Sequence, residues 1–153
     1  MELWFYKGKG GLLDWFIRKG TRSPYSHVEL CLDPVSGLCV SSSWVDGGVR
    51  AKFLSPKSPN WERLEVPLRN PLAVAEIHSK FHQIKGAKYD VLGIVFTEIL
   101  NIRRDSPGRY YCSELCAELL GLDIKCSPGA LHALCRSLWC EPKMNGCTKS
   151  TRK

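Results

Sequence analysis

The fold of this chain is decided by residues 25–54, which read YSHVELCLDPVSGLCVSSSWVDGGVRAKFL. Asp-Pro, Ser-Gly and Asp-Gly-Gly turn signals divide this stretch into three strand-like runs: Tyr25–Leu32, Leu38–Trp44 and Val49–Leu54. Because the connections are short, the stretch predicts a β-meander.

Further elements flank the meander. Glu2–Tyr6 and Trp61–Val66 read as strands, and the apolar face of Leu12–Arg18 predicts a short helix. Periodicity and capping signals predict four later helices: Pro71–Lys85, 90–100, Cys112–Leu120 and 128–138. The sequence therefore predicts an α+β fold in which four to six antiparallel strands, curved toward a small barrel, pack against helices.

The length and charge of the chain constrain its organisation and partners. Its 153 residues suit one domain, which we assign to residues 1–140, followed by a basic, flexible tail over 141–153. The formal net charge of +7 favours an anionic partner such as phospholipid, a cell-envelope polymer or nucleic acid, without choosing among them. The five tryptophans are scattered and not interleaved with basic residues, so no specific nucleic-acid partner is predicted.

Neither a secretion signal nor a membrane-spanning run is visible in the sequence. Glu2 interrupts the short N-terminal apolar stretch, and Asp14 and Arg18 interrupt the next one. The sequence therefore predicts synthesis in the cytoplasm, with action at the cell envelope if the protein is released.

The eight cysteines are predicted to be mostly reduced thiols rather than a disulfide framework or a zinc site. Reduced thiols are the default in the cytoplasm, and no Cys-x-x-Cys pair occurs. A zinc site or a late disulfide among Cys135, Cys140 and Cys147 is an alternative that the spacing favours less. His78 and His82 have the i, i+4 spacing of metal ligands without an evident third ligand, so no metal or other cofactor is implied.

Two residues suggest chemistry. Cys112 stands at the start of a predicted helix, in Tyr-Tyr-Cys-Ser-Glu-Leu-Cys, where the helix dipole and unpaired N–H groups favour a thiolate. His27 lies on a predicted strand, and Glu29 shares its face by the pleat. A thiol nucleophile and a histidine base would form a cysteine-nucleophile enzyme if the fold brings them together. Structural roles stay open, because most helix cysteines pack in cores and most strand histidines are structural.

The segments Ser-His-Val-Glu-Leu at 26–30, Asp-Gly-Gly-Val at 46–49 and Tyr-Cys-Ser-Glu-Leu at 111–115 carry a resemblance. Together they resemble the circularly permuted NlpC-like branch of the papain-fold thiol hydrolases, which includes YiiX-type and lecithin:retinol acyltransferase-like proteins. In that branch the histidine strand precedes the cysteine helix, as here. The resemblance covers roughly Leu3 to Leu134, and the short chain looks like members encoded by bacteriophages.

The resemblance implies Cys112 as the nucleophile and His27 as the base. The family's third polar residue usually lies on the strand after the histidine, where this chain has only serines at 41–43. Glu29 is the preferred substitute, because a carboxylate stabilises an imidazolium better than a hydroxyl, and Ser42 and Ser43 are the alternatives. Supporting roles in an oxyanion site fall to the N–H groups of Cys112 and Ser113 and to a hydroxyl of Tyr25 or Tyr111.

The expected chemistry is hydrolysis through an acyl-enzyme thioester. An amide bond of a peptide or cell-wall component is the first choice of substrate. A lipid ester hydrolase or acyltransferase of the same fold is the second reading. The third is a non-catalytic binding or virion-associated module, which needs no reactive thiol.

Overall fold

The chain forms one sheet and four helices in a computed structural model that describes residues 1–68, 71–90 and 108–140. The strands are β1 Glu2–Tyr6, β2 His27–Asp33, β3 Leu38–Ser43, β4 Gly48–Phe53, β5 Trp61–Glu65, β6 Lys88–Tyr89 and β7 Arg109–Tyr110. The helices are α1 Leu12–Thr21, α2 Pro71–Ile84, α3 Cys112–Leu119 and α4 Pro128–Cys140. The helix predicted over 90–100 lies outside the described residues from 91 onward, as does the tail over 141–153. Every other predicted element is present within a few residues of its expected bounds. None of the helices in the described ranges is long and apolar enough to cross a membrane.

The sheet confirms the α+β class but corrects the expected barrel. Its strand order is β5-β1-β2-β3-β4-β6-β7, and only the β6–β7 pair is parallel. The sheet is open, because over the described residues β5 and β7 are its unpaired edges. The last two strands have two residues each, and β6 joins β4 through the single pairing of Gly48 with Lys88. Strands of two residues are too short to bring β7 into pairing with β5, so the sheet does not close into a barrel.

Gly48 allows the start of β4 to approach the backbone just before β6 closely. Its φ is 146°, and a Cβ at this position would collide with the carbonyl of Ala87. That carbonyl accepts the Val49 N–H at 2.8 Å, while the Gly86 N–H bonds back to the Val49 carbonyl at 2.9 Å. A side chain here would separate these backbone groups, so glycine holds the short strands β6 and β7 against the meander.

The core lies between one face of the sheet and helix α3. Leu3, Phe5, Val28, Leu30 and Val40 supply the sheet side. The i, i+3, i+4, i+7 spacing of Cys112, Leu115, Cys116 and Leu119 predicts one packing face for α3, and all four residues belong to the core. Burial extends beyond that face, because Ser113, Glu114 and Ala117 are buried as well. Burying such a face stabilises the domain at roughly 25 cal/mol per Å² of apolar surface.

Strands β2 and β3 diverge toward the start of β2. Their ladder runs from Asp33–Leu38 to Leu30–Val40, and it does not extend to His27. Beyond the ladder, the Val28 carbonyl accepts the Ser41 hydroxyl at 2.7 Å and lies 3.8 Å from the Cys116 sulfur. Helix α3 thus packs at the point where the two strands separate, which brings its N-terminus to the end of the sheet that carries His27.

Candidate active site

Cys112 is held by the short strand that precedes its helix. Tyr111 is the N-cap of α3 in an extended conformation, and its carbonyl accepts the Leu115 N–H at 3.0 Å. The Ser42 hydroxyl donates to the Tyr110 carbonyl at 2.6 Å and thereby fastens β7 to β3. Cys112 follows directly, fully buried, at the positive end of the helix dipole.

His27 and Cys112 are neighbours across the divergence of the strands, and Cys112 acts on the pKa of the imidazole. Burial alone would lower the pKa of His27, but the charge and hydrogen bond of Cys112, together with Glu29, outweigh it and raise the pKa to about 10. A histidine with so high a pKa is an imidazolium at neutral pH. The geometry therefore holds a cation beside the sulfur.

Glu29 occupies the other side of the imidazole, as the pleat predicted. His27 Nε2 lies 2.8 Å from Glu29 Oε1, which leaves Nδ1 as the ring nitrogen available to Cys112. Only 1% of the Glu29 side chain is exposed. Burial would raise the pKa of this carboxyl, but its bonds and charge contacts with His27 and Arg50 lower it. Glu29 is thus a buried carboxylate that fixes both the tautomer and the orientation of the ring.

Arg50 holds Glu29 in place from β4, two strands away. Its Nη1 and Nη2 donate to the two carboxylate oxygens at 2.7 and 2.6 Å, which is the bidentate geometry of strong arginine–carboxylate pairs. Its Nε donates to Asp46 at 2.8 Å, and Lys52 contacts the same Asp46 at 3.1 Å. The sequence analysis missed Arg50, because the contact depends on the register of the intervening strand.

The structure brings Cys112, His27 and Glu29 together but assigns other contacts to the supporting residues. The Ser42 hydroxyl is engaged by the Tyr110 carbonyl, and the Ser113 hydroxyl donates to the Cys126 carbonyl at 2.6 Å. Ser43 is half-buried and borders the cavity described below. Neither Ser42 nor Ser43 has a hydrogen bond to His27 in the described part of the chain. Glu29 therefore occupies the position beside the imidazole for which these serines were the alternatives.

The two candidate tyrosines occupy different surroundings. The Tyr25 hydroxyl lies 3.4 Å from His132 Nε2, and burial together with a hydrogen bond to Glu62 raises its pKa to about 12. Tyr25 therefore belongs to a separate polar cluster between β5 and α4. Tyr111 is buried in a small apolar cluster with Ile17 and Tyr89, beside the start of α3.

A cavity of about 600 Å³ opens beside the histidine. His27 and Glu29 line it, as do Leu13 and Ile17 of α1 and Trp44 after β3. The His27 side chain is 19% exposed, whereas Cys112 has no exposed surface and is not part of the lining. The imidazole, and not the sulfur, is therefore the group that is exposed to the cavity.

Two further residues at this cavity were missed by the sequence analysis. Tyr89 of β6 lines it, and burial together with the charge of Cys112 raises the tyrosine's pKa well above its ordinary value. Ser26 also borders the cavity and is 1% exposed, and its hydroxyl has no hydrogen-bond partner within the described ranges. Tyr89 stands in no recognisable motif, and Ser26 begins the segment 26–30 but was given no role there. Only the fold brings the two residues to the same cavity.

Five cysteines in the described ranges form no disulfide. Cys31, Cys39, Cys112, Cys116 and Cys135 are all free thiols. In the ranges that the structure describes, no three His, Cys, Asp or Glu side chains converge as a metal site. Cys112, His27 and Glu29 instead have the composition of a nucleophile, a base and an orienting carboxylate.

Comparison with models of known protein families and with curated proteins finds no match for this chain. The functional assignment therefore depends on the geometry of the site.

Proposed function

We propose that this protein is a cysteine-nucleophile hydrolase that acts through an acyl-enzyme thioester on Cys112, with an amide bond of a peptide or cell-wall component as its substrate. The observation that carries the proposal is the position of His27, whose ring contacts Cys112 on one side and the buried carboxylate of Glu29 on the other. Removing an arginine–carboxylate pair from water costs free energy that apolar side chains of similar size would not cost. The presence of such a pair beside the histidine therefore favours a role beyond packing.

In this proposal the ion pair of Cys112 and His27 is the resting state. The sulfur attacks the carbonyl carbon, and the carbonyl oxygen becomes an oxyanion that accepts hydrogen bonds from N–H groups at the start of α3. His27 then gives its proton to the leaving amine as the C–N bond breaks, which leaves a thioester and a neutral imidazole. The imidazole next takes a proton from water, the hydroxide displaces the thiolate, and a carboxylic acid is released.

The chain order supports placing the protein beside the permuted NlpC-like enzymes that its sequence resembles. The histidine strand β2 precedes the cysteine helix α3, and the helix packs against the meander. The departure from that family is the third residue, because Glu29 comes from the histidine's own strand. Arg50 compensates by fixing the carboxylate from β4.

A second candidate, hydrolysis or transfer of a lipid acyl ester, is favoured by the apolar side of the cavity. Leu12, Leu13 and Ile17 line it from α1, and Trp44 and Val45 line it from the turn after β3. Such a surface binds a hydrocarbon chain at about 0.8 kcal/mol per buried CH₂. The third candidate, a binding module, is favoured by the complete burial of Cys112.

Turnover of activated acyl substrates tests the proposal. Aminoacyl nitroanilides and nitrophenyl esters of increasing acyl length would be assayed with the wild type, Cys112→Ala and the matched control Cys116→Ala. Cys116 is equally buried one turn further along the same helix. We expect Cys112→Ala to lower turnover by at least about a thousandfold and Cys116→Ala to retain it.

The other outcomes separate the candidates. A rate that rises with every added methylene of the acyl chain would favour the lipid reading over the amide reading. Turnover that survives in Cys112→Ala would contradict the proposal. The absence of turnover with every acyl donor, in a folded wild type, would favour the binding module.

A further inference from the structure

Helix α1 exposes an apolar stripe to solvent although it also contributes to the cavity. Leu13 and Ile17 face inward. Leu12, Trp15 and Phe16 follow the i, i+3, i+4 spacing of a single helix face, and they are 79%, 51% and 53% exposed. A soluble surface helix normally turns charged residues outward, so this stripe is a feature that the folding of the domain does not explain.

A second exposed apolar element borders the same cavity. Trp44 and Val45, in the turn between β3 and β4, are 59% and 89% exposed, and both line the cavity together with Leu12. The cavity mouth is thus bordered by apolar side chains from two separate segments of the chain. We define the rim as Leu12, Trp15, Phe16, Trp44 and Val45.

The charge around the rim is strongly positive. Residues 7–22 contain five Lys and Arg residues and a single acid, Asp14, so they contribute four of the seven net positive charges of the whole chain. The Asp14 carboxylate accepts the Gly11 N–H at 2.9 Å at the start of α1. Lys9, Lys19 and Arg22 are exposed. Cations that flank exposed aromatic side chains match an anionic, partly apolar partner.

We propose that the rim docks the protein on an anionic phospholipid bilayer, with the cavity mouth facing the lipid. Tryptophan and phenylalanine side chains enter the boundary between headgroups and acyl chains, and lysine and arginine side chains pair with headgroup phosphates. A ten-residue helix is about 15 Å long, and its three exposed apolar side chains are too few for the roughly 800 Å² that a stable protein interface buries on each partner. A bilayer needs no such continuous area.

Docking is independent of the chemistry at Cys112 and is tested apart from it. Vesicles of phosphatidylcholine with 30 mol% phosphatidylglycerol, and vesicles of phosphatidylcholine alone, would be used in flotation assays at about 0.1 M NaCl. The rim variant is Trp15→Ser with Phe16→Ser. The matched control is Val35→Ser with Leu72→Ser, because these residues are also exposed and apolar but belong neither to α1 nor to the rim. Circular dichroism checks that each variant is folded.

We expect the wild type and Cys112→Ala to float equally with the anionic vesicles. The rim variant should lower the partition coefficient by at least about tenfold, because two aromatic side chains no longer leave water, and the control should stay within about twofold. Removing the anionic lipid, or raising NaCl to about 1 M, should also weaken binding, because the charge contribution is lost or screened.

Three results would overturn the proposal. In the first, the wild type fails to float with anionic vesicles. In the second, the rim variant floats as well as the control. In the third, the wild type forms a concentration-dependent dimer in sedimentation velocity that the rim variant abolishes, without any vesicle binding, which would make the rim a contact between copies of the chain.

Discussion

Replacing Glu29 with glutamine tests the role of this buried carboxylate most sharply, because the change removes a charge while keeping the shape. Glu29 makes two bonds to Arg50 and one to His27, and removing one partner of a buried ion pair costs about 3–5 kcal/mol. Arg50 keeps its 2.8 Å bond to Asp46 and is 16% exposed, so we expect a loss near the lower bound, about 3 kcal/mol. At about 2–4 °C per kcal/mol for a chain of this length, the midpoint of thermal unfolding should fall by roughly 6–12 °C.

The stability loss should depend on pH in a defined direction. Because the pKa of Glu29 is lowered in the folded protein, its contribution is complete above the unfolded pKa of 4.5 and disappears as the pH falls through the folded pKa. Urea unfolding of the wild type and Glu29→Gln should therefore show a full gap at pH 7 that narrows in acid. Turnover at pH 7 should fall by about tenfold to a hundredfold, less than for His27→Ala, since nucleophile and base both remain.

A double variant separates the structural role of the pair from its chemical role. Glu29→Met with Arg50→Met replaces both charges by side chains of similar volume, which is often neutral for stability. We expect unfolding within about 1 kcal/mol of the wild type together with turnover as low as in Glu29→Gln. If Glu29→Gln unfolds at the wild-type midpoint, or if the double variant regains full turnover, the reasoning about this carboxylate is wrong.

Three further results are expected. Ser42→Ala should lower the free energy of unfolding in urea by about 1 kcal/mol, since it removes one hydrogen bond to Tyr110. It should lower turnover less than Glu29→Gln does. A larger loss of turnover would make Ser42, rather than Glu29, the residue that orients His27. The pKa of His27 is raised to about 10 in the folded protein, so its protonated ring stabilises the fold fully below pH 6.5 and progressively less toward pH 10. The unfolding free energies of the wild type and His27→Gln should therefore converge near pH 10. Iodoacetamide at pH 6 should label Cys112 before the other cysteines, as mass mapping of the adducts would show. His27→Ala should remain folded and lose that preference. If His27→Ala unfolds instead, His27 is a core residue.

The sequence was sufficient for the elements and for part of the site because local rules govern both. Alternation and turn residues define β2, β3 and β4 without tertiary information, and the pleat places His27 and Glu29 on one face. The spacing of the α3 stripe likewise predicts the apolar residues through which that helix joins the core. Each of these inferences needs only residues within a few positions of one another.

The missing parts depend on contacts between distant segments. Arg50 reaches Glu29 only through the registers of two strand pairs, and a slip of one residue would turn it to the other face of the sheet. Strands β6 and β7 have two residues each, too few to show a period, so their pairing at the edge of the sheet was invisible. The stripe of α3 predicts that Cys112 packs toward the sheet. The placement of His27 between this residue and the cavity depends on the divergence of β2 and β3, which the local sequence does not show.

Intact-mass analysis during turnover of a nitrophenyl ester tests the central claim most directly, because a thioester is the intermediate that defines this chemistry. The account predicts a wild-type species heavier by one acyl group, with the added mass on the peptide that contains Cys112. The adduct should persist longer in Glu29→Gln, where weaker support of the imidazole slows attack by water, and it should be absent in Cys112→Ala. Turnover without an adduct, or an adduct on another residue that Cys112→Ala leaves in place, would contradict the account.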